Sequence, residues 1–148
     1  NSTTHGYNSG GYNSGFTRLN VIEKFTSASD GNGSDVGDLL SAVSNPTGQS
    51  SETHGYTSGG DVPAKSNVIQ KFTFASDANA TDVGDLTQAR SQGAGQSSTT
   101  HGYTSGGAAP PYSSPHNIID KFPFSSDTNA TDVGDLTESF YANAGHHV

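Results

Sequence analysis

An all-β fold assembled from three copies of one small unit is what this sequence predicts, and three recurring phrases predict it. Thr-His-Gly-Tyr-x-Ser-Gly-Gly occupies positions 4–11, 53–60 and 100–107. Asn, then Val or Ile, then Ile-x-Lys-Phe follows at 20–25, 67–72 and 117–122, and Asp-Val-Gly-Asp-Leu closes each copy at 35–39, 82–86 and 132–136. The histidines His5, His54 and His101 fall 49 and 47 residues apart. A fixed period of this length marks one supersecondary unit copied in tandem, whose copies must lean on one another to hide their apolar faces. The repeats run about 1–49, 50–96 and 97–148 within a single repeat domain.

Each element of the unit has its own justification. The first phrase predicts a short strand anchored by Tyr7, Tyr56 or Tyr103 and ended by a Gly-Gly doublet, where the chain can turn sharply. The stretch that follows (12–19, 61–66, 108–116) changes length between copies, as surface loops do. The second phrase is the clearest strand. Across 67–74, Val68, Gln70, Phe72 and Phe74 point one way and Ile69, Lys71 and Thr73 the other, so both faces carry apolar groups. That pattern predicts cover on both sides by stacked sheets. Pro123 sits inside the third copy of this strand and predicts a bulge or an unpaired N–H there.

Positions 76–82, Ser-Asp-Ala-Asn-Ala-Thr-Asp, are turn chemistry. Positions 83–89 predict another strand anchored by Val83 and Leu86, and 90–98 return through Gly93-Ala94-Gly95 to the next Tyr phrase. The unit thus holds about four strands, and no helical period occurs anywhere. The tail, 141–148, has the look of the strand that precedes each Tyr phrase, which gives three complete units in a shifted frame.

Composition narrows the functional classes. Hydrophobic residues form only 29% of the 148 residues and the net charge is -8, a balance that alone leans toward disorder. The periodic apolar runs oppose that reading. Six Lys plus Arg, scattered singly, offer no basic stripe for phosphates, so nucleic acid is not an expected partner. No run approaches the roughly 20 apolar residues of a membrane span. The absence of Cys excludes disulfides and thiolate metal sites. The absence of Met, even at position 1, points to a processed product or a piece of a longer chain. An acidic, Ser/Thr/Asn-rich, Cys-free surface suits a protein that must stay soluble outside a cell.

The Gly-Gly doublet, the aromatic-bearing strand that follows it and Arg90 before the next copy resemble the kelch repeat. In the third copy the correspondence runs through 101–107, 117–124 and 132–139. The resemblance implies β-propeller blades, each a four-stranded sheet. The last strand lacks the family's Trp, and Val43 and Phe140 stand where Arg90 does in the middle copy. Three blades fall short of the usual 4–8 of a closed ring. Two chains completing a six-bladed ring, a longer array, and a linear stack all remain open. In style the repeats are also similar to tail-fibre and surface proteins of marine bacteriophages. That implies a non-enzymatic virion structural protein with self-association, other virion proteins and host-surface polysaccharide as partners. The alternative is an extracellular microbial filament subunit or adhesin made of stacked repeats.

Candidate site residues follow from the loops and the repeats. Tyr12 and Tyr112, with His116 beside the second of these loops, are the expected ligand contacts, since aromatics with a polar tip stack on sugar rings. His5, His54 and His101 suit a hydrogen bond to backbone or a neighbouring blade better than a metal ring. Asp77, Asn79, Asp82 and Asp85, with their counterparts, place oxygens at alternating positions that can hold Ca²⁺, yet Asx turns explain them without a metal. Asn1, Asn32, Asn79 and Asn129 fit the glycosylation acceptor pattern, for which turn chemistry is the better account. No metal or cofactor is expected. The acids are copied in every repeat whereas one active site needs a locally unique pair, so no enzyme activity is expected either.

Overall fold

The computed structural model describes residues 4–110 and 114–146, and every regular element among them is a strand. The first sheet is β1 (His5–Ser9), β2 (Leu19–Thr26) and β3 (Ser34–Val43); the second is β4 (Thr47–Ser50), β5 (His54–Ser58), β6 (Val68–Thr73) and β7 (Thr81–Asp85). The third is β8 (Ala94–Ser97), β9 (His101–Ser105), β11 (Ser114–Pro123) and β12 (Thr131–Phe140), and two-residue β10 (Ala108–Ala109) pairs with the start of β11. Each sheet is an antiparallel meander, and the three stack face to face. The described residues form no closed ring. The all-β class is therefore observed, with the four-strand unit complete in the second and third sheets.

Register repeats as faithfully as sequence. His5 faces Thr26, His54 faces Thr73 and His101 faces Pro123. The register of the middle strand shifts between Ile22 and Glu23, Ile69 and Gln70, and Ile119 and Asp120. This shared irregularity is a property of the unit. The expectation of a bulge at Pro123 is corrected accordingly: Pro123 is simply the last residue of β11, a strand end that tolerates a missing N–H.

The glycine doublets turn as required, with φ of 65 and 100° at Gly59 and Gly60. The second N–H of each doublet donates to the carbonyl at one equivalent position near the end of the unit: Gly11 to that of Val43, Gly60 to that of Arg90 and Gly107 to that of Phe140. A different demand fixes the Gly of His-Gly-Tyr. A Cβ at Gly6, Gly55 or Gly102 would overlap the ring of Phe25, Phe72 or Phe122, which lies flat across the neighbouring strand.

Among the described residues the large buried apolar side chains form no single central core but two clusters, one at each junction. Ile22, Leu39 and Val43 meet Phe72 and Ala80 of the second unit; Tyr56, Ile69, Val83 and Leu86 meet Phe122 and Ala130 of the third. Each Tyr sits on the aromatic pair of the unit that follows: Tyr7 is 4.5 Å from Phe74 and 5.7 Å from Phe72, and Tyr56 is 4.9 Å from Phe124 and 5.5 Å from Phe122. Burying one such ring contributes about 2–3 kcal/mol, and the offset contact adds about 1 kcal/mol.

Candidate functional site

The polar residues singled out by the repeats hold the units together. Asn79 Oδ1 accepts from the Asp38 N–H at 3.0 Å, and Asn129 Oδ1 from the Asp85 N–H at 3.1 Å. The Ala80 and Ala130 N–H groups donate across the same junctions to the carbonyls of Asp38 and Asp85. Lys24 pairs with Asp77 at 2.7 Å and Lys71 with Asp127 at 2.5 Å. These ion pairs are partly exposed, so they contribute little to strength and serve register more. The Asx turns expected of this loop fall to its later acids, with Asp35, Asp82 and Asp132 accepting from Gly37, Gly84 and Gly134. Among the described residues no group of three or more His, Asp and Glu side chains is placed to hold a metal ion.

The two junctions differ in one buried pair. At the first, Gln70 Oε1 accepts from the Leu40 N–H at 2.7 Å and apolar Val43 lies alongside. At the second, Asp120 accepts from Thr87 N–H and Oγ1 and from Arg90 Nη2 at 2.7 Å. Arg90 and Asp120 are 1% and 0% exposed. Burial pulls the Arg90 pKa down, opposed by the Asp120 charge. Beside this pair, Gln49 Nε2 donates to Thr104 Oγ1 at 2.8 Å and to the Tyr103 carbonyl at 3.0 Å.

Each recurring His bonds its preceding Thr. Nδ1 of His5, His54 and His101 lies 2.8 Å from Oγ1 of Thr4, Thr53 and Thr100. At Nδ1 the partner is thus a side chain of the same segment. For His54, burial first and the Lys71 charge second hold the pKa below its ordinary 6.5, with Asp127 acting the other way. The unfolded chain therefore takes up this proton at higher pH than the folded one, and stability falls as pH drops below about 6.5. Melting curves from about pH 7.5 to about pH 5 should show a decline that His54→Gln reduces. An identical pH profile in the variant would remove His54 from this account.

The repeats leave one edge and two faces without the cover that their counterparts have. β5 and β9 are each flanked on both sides, by β4 and β6 and by β8 and β11, whereas β1 pairs with β2 alone among the described strands. Along that edge runs a cleft of about 400 Å³, lined by His5, Tyr7 and Ser9 on one side and Gly48, Gln49 and Ser50 on the other. Phe25 is 45% exposed where Phe72 and Phe122 are 6% and 2%. On the far face Val133 and Phe140 are each 46% exposed, at the positions of buried Val83 and Arg90.

The ligand contacts expected from sequence are not gathered into one site. Tyr12 is exposed in the first loop, with the Arg18 guanidinium 5.8 Å from its ring centroid. Tyr12 also lines a second cleft with Tyr7, Ser9 and Gly48, at the end of the β1 edge. His116 lies two units away on β11, half-buried, its N–H donating to the Gly107 carbonyl. Tyr112 lies outside the described residues. Not singled out by the sequence pattern, Phe16 is 85% exposed at φ 56° in a turn whose N–H groups at Gly15 and Thr17 donate to Asn13 Oδ1. An apolar residue in a variable loop was the signal available. No family model matches the chain, and no curated protein matches it in sequence.

Proposed function

We propose that this chain is a non-enzymatic structural protein of a virion surface, a fibre or decoration of kelch-like units that contacts host-surface glycans through its loops. One observation carries the reading: at both internal junctions the recurring amides, acids and lysine heads join one unit to the next. Their repetition serves construction. The first loop supplies the contact, because Tyr12, Phe16 and Arg18 present two exposed rings and a guanidinium, groups that stack on and bond to sugars. Weak contacts of this kind gain strength from many copies on one particle.

Immunogold labelling of intact particles with antibody to this chain should decorate their outer surface. The variant Tyr12→Ala/Phe16→Ala should lower adsorption to cells several-fold while stability changes by no more than about 0.5 kcal/mol, as for other exposed sites. Unchanged adsorption removes the glycan part. The stacked geometry with uncovered ends also favours a second reading, an extracellular filament subunit, for which label would follow cell-borne fibres.

A further inference from the structure

We infer that the cleft along β1 receives residues 144–146 of a second copy of this chain, which adds head to tail through the same contacts that join the units internally. This deepens the structural reading above and rests on it.

The first argument is the stack of glycines. Gly48, Gly95 and Gly145 occupy one position in successive units. A Cβ on Gly95 would overlap the Gly48 carbonyl, and one on Gly145 would overlap the Gly95 carbonyl, so each glycine lies directly against the one before it. A Cβ on Gly48 meets nothing within 4 Å. The stack therefore has room at Gly48 for one more carbonyl, and a further Gly145 has the matching one. Residue 142 confirms the equivalence in backbone: Asn45, Gln92 and Ala142 share φ of 53, 60 and 56°, and the Gln92 and Ala142 N–H groups donate to the residue-45 and residue-92 carbonyls.

The second argument is pairing. Ala94 faces Ser105, Gly95 faces Thr104 and Gln96 faces Tyr103. Transferred by one repeat, Ala144, Gly145 and His146 of one copy would face Ser9, Asn8 and Tyr7 of the next. In the single chain 144–146 form no strand. Adding a strand to an uncovered edge supplies the missing ladder bonds.

The third is complementarity of the two faces. Lys24 takes Asp77 and Lys71 takes Asp127; by the same step Lys121 of one copy takes Asp30 of the next, and neither has an ion-pair partner among the described residues. Thr137 N–H would donate to Glu23 as Leu40 and Thr87 N–H donate to Gln70 and Asp120. Tyr103 would cover Phe25. Ser27 stands where Phe74 and Phe124 stand, so this junction lacks one aromatic and is weaker than the internal ones. A head-to-tail contact closes into a ring or runs on as a fibre, according to its rotation.

Sedimentation and light scattering of the full 148-residue chain over a concentration series should show association, as discrete rings or as open fibres. Gly48→Val should leave the melting temperature of the single chain unchanged, since its side chain enters empty space, yet raise the dissociation constant about 100-fold or more by blocking the incoming carbonyl. Lys121→Asp should weaken association and Lys121→Asp/Asp30→Lys restore it. A chain that stays monomeric throughout, or a Gly48→Val chain that associates normally, overturns the inference. Either result leaves surface labelling of particles to be judged separately, and association without such labelling faults the virion reading alone.

Discussion

Asp120→Ala is expected to be the most damaging single substitution in the chain, lowering stability by about 3–5 kcal/mol. Asp120 and Arg90 are both fully buried at the second junction, and among the described residues the carboxylate is the only ion-pair partner of Arg90. Its remaining partner would be the Thr104 carbonyl at 3.0 Å. Arg90 Nε and Nη1 have no hydrogen-bond partner among the described residues. Asp120→Ala also strips the Thr87 N–H and hydroxyl of their acceptor. The first junction shows how the same place is built without charge, using Val43 and Gln70. Arg90→Val/Asp120→Gln writes that solution into the second junction and should recover most of the loss. Urea unfolding of the three proteins measures both effects. A loss below about 1 kcal/mol in Asp120→Ala, or a double variant no better than the single one, would contradict the assignment.

Phe122→Ala should cost about 3–5 kcal/mol, as large-to-small changes of buried aromatics do. Its ring lies across Gly102 and meets Tyr56 and Phe124, and Gly102 and Tyr56 are held on strands of two different sheets. Phe25→Ala removes the same atoms from the same place in the first unit, where the outer side of the ring is bare. In dilute solution it should cost well under half as much. Equal losses would mean that the Phe matters to its own sheet alone, and stacking would then lose its main energetic support.

The strand content of this chain was legible because alternation and turn residues act over a few positions. Val68, Ile69 and Phe72 announce cover on two sides from their own spacing, and the Gly-Gly doublets announce turns. What crosses the junctions was hidden. Asn79 reads as a turn former, yet its carbonyl oxygen serves Asp38, 41 residues earlier. The ion pair of Arg90 with Asp120 links positions 30 apart that no local pattern connects. Gly95 gives no sign in sequence that another glycine's carbonyl lies against it. The expected ligand residues fared unevenly for a related reason: Tyr12 is exposed as a loop position should be, whereas His116 is drawn into a strand by its N–H bond to Gly107. Pro123 misled because its place at the strand terminus depends on where pairing stops.

Because the large buried apolar side chains of the described residues fall into two clusters that share no residue, the chain behaves as a one-dimensional array with nearest-neighbour coupling. Damage at one junction would not spread evenly. It would divide the molecule into two blocks that melt independently, so a lesion such as Asp120→Ala should turn a single calorimetric transition into two.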